Sequence, residues 1–257
     1  MLSKRLFFGC FIFCALSVAQ AWAKTQTVLI DDMLLDAETA SLLNNDACDF
    51  GARKLSAELW EDGVLPLTFP DDLEQWKKDL FFEACNQWES VANVRCMEGV
   101  YKRRTIVVTQ SEGLGCFAIW GMGRSLGTLR RWINLAPGTP GCWSRGTITH
   151  EIGHALGLIH EHQRPDRDQY LDVFPDNIEN TAGLNRWTNF DKQGAQMLTP
   201  YDFMSIMHYS KDAFSKNRQD TMRPKSEYIQ FLNTMGKSGN ISKLDAATMA
   251  ALYGGKR

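Results

Sequence analysis

The chain has 257 residues, with 28 Lys plus Arg against 30 Asp plus Glu and a formal net charge of −2. That balance gives no reason to expect nucleic acid or an anionic membrane as a partner. There is no internal repeat, charge block or low-complexity stretch, so the class to consider is an ordinary folded domain.

The first residues read as a secretory signal peptide, residues 1–23. Lys4 and Arg5 form a short basic region, an apolar run follows over residues 6–18, and Ala21-Trp22-Ala23 supplies a small-x-small cleavage site. The run is short for a membrane span and ends at the cleavage signal, so no stable membrane anchor is expected. A lipoprotein anchor would need a cysteine at the cleavage point, and Cys10 and Cys14 lie inside the run. The protein is expected to be exported, secreted or periplasmic. Five cysteines then remain, Cys48, Cys85, Cys96, Cys116 and Cys142. In an oxidising compartment an odd number leaves one over.

Residues 24–54 are polar to mixed, with Asp31, Asp32, Asp36, Asp46 and Asp49 scattered through them, and Arg53 and Lys54 offer a basic cleavage point. We read them as a weakly committed pro-segment before a domain over residues 55–257. Residues 64–69 form a strand whose Pro66 implies an edge or first position. Asp71 is placed to cap a helix carrying Leu73, Trp76, Leu80, Ala84 and Trp88 on one stripe. The β-branched run at residues 105–109 predicts a strand buried on both faces, and residues 131–135 predict another. A helix follows over residues 147–156. Beyond His162 the pattern weakens into long loops until Ser242-Lys243-Leu244-Asp245, a capping box opening a last helix through Leu252.

The chemistry lies in His150-Glu151-Ile152-Gly153-His154-Ala155-Leu156-Gly157-Leu158-Ile159-His160. Residues four apart share a helix face, so His150 and His154 can aim two imidazoles at one point. Glu151 sits one position round, within reach of a water on a metal held there. Gly157 can stop the helix in the left-handed conformation and bring His160 round as a third ligand. Three neutral nitrogens and one open position describe a catalytic zinc site. All five histidines of the chain (150, 154, 160, 162 and 208) fall in or just after this region. His162 and His208 are read as supporting or surface groups and not as ligands.

With these residues the chain resembles the astacin family of metzincin zinc endopeptidases. His160-Glu161-His162 with Arg164, then Asp166-Arg167-Asp168, is similar to that family's extended zinc motif, and Ser205-Ile206-Met207-His208-Tyr209 is similar to its methionine-bearing turn. The similarity covers roughly residues 58–253. It implies an α+β, metzincin-type zincin: an N-terminal lobe of twisted mixed sheet with two long helices, and an irregular C-terminal lobe with a terminal helix. It implies Zn2+ held by His150, His154 and His160, with Glu151 as general base. Tyr209 is implied as an additional zinc ligand that stabilises the transition state, Met207 as packing, and Glu161 as the partner of a new N-terminus. Cys116 and Cys142 match a disulfide-framed loop before the zinc helix. Relatives usually pair a cysteine after the closing Leu-Tyr with the position of Cys96; none follows Tyr253 here, and Cys85 is the local candidate.

That pairing leaves Cys48 free. A thiolate is a strong zinc ligand, so Cys48 is expected to fill the fourth position in a latent form, with Asp46 and Asp49 as rivals. The implied reaction is hydrolysis of internal peptide bonds of protein or peptide substrates, with the zinc-bound water as nucleophile and Glu151 moving its proton. Release of the pro-segment requires an activating protease or self-cleavage, and a monomer is expected. The strand at residues 131–135 is expected to add the substrate to a sheet edge. Lys211, Lys216, Arg218 and Arg223 follow the methionine turn and raise an acidic side-chain preference, with an ordinary solvated face as the alternative. The rival readings are an inactive zincin-fold binding protein and a hydrolase of non-peptide cross-links.

Overall fold

The computed structural model describes residues 27–30, 32–36, 57–123, 131–139, 141–181, 184–185 and 189–256. Residues 1–23, read above as a signal peptide, Cys48, and Arg53 and Lys54, read as a cleavage point, lie outside the described residues. The N-terminal lobe is built on a seven-stranded sheet: β1 (Thr27–Ile30), β2 (Met33–Asp36), β3 (Val64–Thr68), β4 (Arg95–Glu98), β5 (Ile106–Thr109), β6 (Cys116–Ile119) and β7 (Arg131–Leu135), in the order β1-β2-β6-β7-β5-β3-β4. β4, β3, β5 and β7 run parallel, β6 pairs antiparallel with β7, and β2 is parallel to β6. The sheet is therefore mixed.

Two long helices, α1 (Gln75–Glu89) and α2 (Arg145–Ala155), pack on one sheet face, where Phe81 and Trp88 meet Ile106, Val108, Ile133, Ile148 and Ile152 in one core. Because both helices share that face, β5 is buried at Ile106 and Val108 but only half-buried at Val107 and Thr109. This corrects the expectation of burial on both faces. α1 also starts later than predicted. Residues 71 and 72 form a turn closed by the Leu73 amide on Pro70 O (3.1 Å), and Glu74 precedes the helix without a side-chain cap. Its buried stripe runs through Lys77, Phe81, Ala84, Cys85 and Trp88, and Trp76, off that stripe, is 55% exposed with its ring edge-to-face with that of Trp143.

Residues 27–36 are the larger correction. This segment forms a β-hairpin, with Met33, Leu34 and Leu35 buried and β2 paired with β6. A polar stretch that reads as weakly committed contains two short apolar runs flanking Asp31-Asp32, and the second of them, Met33-Leu34-Leu35, is buried.

The C-terminal lobe is mostly irregular. It holds β8 (Leu171–Val173) paired with β11 (Met222–Pro224), the two-residue strands β9 (Asn180–Thr181) and β10 (Leu184–Asn185), single-turn helices and its own aromatic core. Its last helix, α3 (Lys243–Tyr253), opens on the predicted capping box of Ser242 and Asp245. Tyr253 Oη donates to Leu156 O (3.0 Å) and ties α3 to the end of α2. Disulfides join Cys85 to Cys96 and Cys116 to Cys142. Among the described residues no helix is long and apolar enough to cross a membrane.

Candidate metal centre

α2 begins at Ser144, whose side chain accepts from the Thr147 amide. It ends where Gly157 takes φ 106°, with the Gly157 amide on His154 O (2.8 Å) and the Leu158 amide on Gly153 O (2.9 Å). These two bonds close the helix end and reverse the chain. A Cβ at Gly157 would lie 2.6 Å from that of Ala57, so both conformation and contact require glycine. The reversal carries His160 back towards His150 and His154.

The three imidazoles converge. His154 Nε2 lies 3.1 Å from His150 Nε2 and 3.2 Å from His160 Nε2, and His150 and His160 Nε2 are 3.2 Å apart. Each ring's far nitrogen faces an oxygen: His150 Nδ1 on Ile206 O (2.8 Å), His154 Nδ1 on Leu158 O (2.8 Å), and His160 Nδ1 on Gln163 Oε1 (3.0 Å). Oxygen acceptors at all three positions require the proton on Nδ1. All three Nε2 atoms therefore present lone pairs to one point. Facing lone pairs repel unless a cation sits among them, and their spacing is close to that of nitrogens sharing a tetrahedral zinc at ~2.0–2.1 Å. The residues fit the metal.

A fourth group completes the cluster, and it is Asp32. Its Oδ1 lies 3.0 Å from His154 Nε2 and 3.1 Å from His160 Nε2, and its Oδ2 3.2 Å from His150 Nε2. The four ligand atoms lie within 4.8 Å of one another. Burial opposes the charge on Asp32, but His160 and His154 beside it outweigh burial and hold its carboxyl well below the usual range. Burial dominates at His154 and pushes it down to about 4, favouring the neutral imidazole that a metal needs. Cys48, Asp46 and Asp49, named from sequence, lie outside the described residues, whereas among the described residues the fourth group at this point is Asp32 at the hairpin turn. The signal was available in the apolar pairs around it, which mark a hairpin.

The other predicted residues gather here. Glu151 is buried in the helical turn between two of the histidines, 1% exposed. Tyr209 Oη lies 3.5 Å from Asp32 Oδ2, and its ring stacks on His162 at 4.4 Å and 23°. Met207 is buried beneath α2, where a Cβ on Gly153 would come within 2.7 Å of its sulfur. Glu161 Oε1 accepts from Arg164 and from the Asp202 amide, both at 2.8 Å, and burial pushes its carboxyl up to about 7. His162 and His208 are both buried: His162 Nε2 contacts Asn189 O at 2.8 Å and His208 Nε2 contacts Tyr201 Oη at 2.8 Å.

Two expectations change. β7 lies between β6 and β5, so it offers no edge; β6 is the strand that the hairpin covers, with the Ala118 amide on Asp32 O and the Trp120 amide on Leu34 O. Of the four cations after the methionine turn, Lys211 and Arg223 both pair with Asp220 at 2.7 Å. Lys216 and Arg218 are both exposed.

Fold and site together define a zincin: an α+β protein whose helix and following loop present three histidines to zinc above a methionine turn. Residues 52–254 match the peptidase family described as Astacin. Zinc metalloproteinase nas-15 of Caenorhabditis elegans is 31% identical over 233 residues, covering 86% of this chain and 38% of that protein. Nematocyst expressed protein 6 of Nematostella vectensis is 32% identical over 188 residues, covering 70% and 62%. Among solved structures, high choriolytic enzyme 1, a hatching enzyme zinc-protease from the medaka Oryzias latipes, superposes with a TM-score of 0.66 at 26% identity, covering 77% of this chain and 94% of that one. Myroilysin, at 20% identity and a TM-score of 0.53, shares the fold. The chain belongs to the astacin family and carries its zinc metalloprotease domain. It spans 38%, 22% and 37% of the lengths of nas-15, nas-39 and nas-14 of C. elegans.

Proposed function

We propose that the protein is an exported zinc endopeptidase made as a latent zymogen, with Asp32 as the plug. The observation that carries the reading is the convergence of three Nε2 lone pairs and the Asp32 carboxylate on one point. Zinc bound there by His150, His154 and His160 would supply Lewis acidity and an activated water once Asp32 leaves. Glu151 would take up a proton on its carboxylate and return it to the leaving nitrogen. The Tyr209 hydroxyl, already directed at the plug, would donate to the oxyanion of the scissile carbonyl. The amides of Ala118 and Trp120, which now hold the pro-segment, would hold an extended substrate on the β6 edge instead.

Latency is tested in the uncleaved chain with Asp32→Ala and Cys48→Ala side by side, using a quenched peptide library with and without a chelator. Asp32→Ala should raise basal cleavage at least ~10-fold, consistent with loss of a charge-assisted ligand, while Cys48→Ala stays as latent as wild type. Activation by Cys48→Ala alone would return the plug to the thiol. Chelator-resistant cleavage would refute zinc catalysis.

A further inference from the structure

The three histidines differ in what orients them. His150 and His154 donate to backbone carbonyls, Ile206 O and Leu158 O, which no side-chain substitution removes. His160 alone relies on a side chain, Gln163 Oε1 at 3.0 Å. We propose that Gln163 is a positioning residue for zinc, fixing the tautomer and the ring plane of His160. The proposal rests on the zinc reading above.

The geometry of Gln163 allows only one orientation of its amide. Its side chain is fully buried, and its Nε2 lies 3.1 Å from the carbonyl oxygen of Asn189, which can only accept. The amino group must therefore face Asn189, and the oxygen must face His160. A flipped amide would set oxygen against oxygen at Asn189. It would also donate to His160 Nδ1 and drive the imidazole proton onto Nε2, into the point where the three lone pairs meet. Asn189 O thus dictates the Gln163 orientation, Gln163 dictates the His160 tautomer, and the tautomer turns the Nε2 lone pair to the point shared with His150 and His154.

The backbone holds the amide in place. Gln163 closes the turn Glu161–Gln163 through its own amide on His160 O (3.1 Å), and its carbonyl accepts from the Gln193 amide (2.6 Å). Asn189 and Gln193 belong to the C-terminal lobe, so the third ligand is aligned from the lobe opposite the zinc helix. Partners of this kind, donating or accepting at the far nitrogen of a metal-bound histidine, typically change metal affinity ~10–100-fold when removed.

The test uses the full chain, with zinc affinity measured by competition against a chelator of known affinity and histidine tautomers read by 15N NMR of the zinc-loaded protein. Gln163→Leu removes the acceptor at similar volume and should weaken zinc binding ~10–100-fold. Gln163→Glu keeps an oxygen on His160 and should bind clearly more tightly than the Leu variant. Wild-type His160 should carry its proton on Nδ1. A role in packing alone would lower the melting temperature of Gln163→Leu and leave the affinity of its folded form unchanged, and that result overturns the proposal while the zinc reading stands. Should Gln163→Leu not fold, the wild-type spectrum decides: a proton on Nε2 of His160 overturns the proposal, and one on Nδ1 with Gln163→Glu binding zinc supports it. A wild-type chain that binds no zinc overturns the zinc reading and this proposal together.

Discussion

At the scale of single residues, the proposed site separates groups that would hold the metal from groups that would act on substrate. Glu151 lies on α2 between two ligands without being one of them. Glu151→Ala should therefore retain zinc, measured by metal analysis, and lose at least ~10²–10⁴-fold in kcat, the range assigned to a general base. A variant cleaving peptides near the wild-type rate would remove Glu151 from the reaction. Tyr209 is held by ring contacts with His162 and His160 as well as through its hydroxyl. Tyr209→Phe keeps those contacts and should fold and bind zinc normally. Its loss should fall on kcat more than on KM, as for a group acting in the transition state. Glu151 was legible from its place one residue after His150, and Tyr209 only through the resemblance of residues 205–209 to the family's methionine turn. Gln163 was not. Nothing in sequence reports that Asn189 O, distant in the chain, sets which way its amide faces.

At the scale of elements, the capping box of α3 has a second task that its motif does not announce. Asp245, 5% exposed, accepts from the Ser242 amide (2.8 Å), but also from the Ile206 amide (2.8 Å) and Ser205 Oγ (2.6 Å). Ile206 O in turn receives the proton of His150. Ser242→Ala removes a helix cap and should cost about 1 kcal/mol in urea unfolding. Asp245→Ala also strands two buried donors of the methionine turn and should cost several kcal/mol, at ~1–3 kcal/mol for each. Equal losses in the two variants would reduce Asp245 to a cap.

A second link joins the ends of a loop in the C-terminal lobe, where Asp220 binds Lys211 and Arg223. Burial raises the Asp220 carboxyl, yet its bonds to Lys211 and Arg223 win and hold it below its usual value of 3.8. A depressed folded pKa contributes stability above the unfolded pKa, lost as pH falls through the folded one. Asp220→Asn should therefore be less stable than wild type at neutral pH, and the gap should close below pH ~4. A gap that persists at pH 2 would assign the loss to packing.

At the scale of the whole molecule, one metal point joins the hairpin, the zinc helix and the loop after it. A ligand that binds only the folded state stabilises it by about 4 kcal/mol at 1,000 times its Kd. Chelation should lower the melting temperature and speed amide exchange in residues 27–36 more than in β5, whose bonds lie within the central sheet. Uniform exchange across both would mean that the metal does not hold the hairpin.

The sequence by itself determined that His150, Glu151 and His154 share one helix, that a glycine follows to return His160, and that α3 opens on a capping box. These are written in spacings of a few residues, where helix geometry and turn chemistry leave little choice. The methionine turn and the α+β class were legible only through the family resemblance. The Cys85–Cys96 link, named from sequence only as the local candidate, is present in the structure. Tertiary structure alone decided that β7 is interior, that Trp76 faces solvent and that Asp32 meets the histidines. The distance from Asp32 to His150 is 118 residues in sequence and 3.2 Å in space. Local propensity carries no term for that contact. Met33 and Leu35 are buried with Trp120 and Ala57, and the register of β2 on β6, Met33 opposite Ala118 and Leu34 opposite Ile119, sets the Asp32 carboxylate beside the histidines.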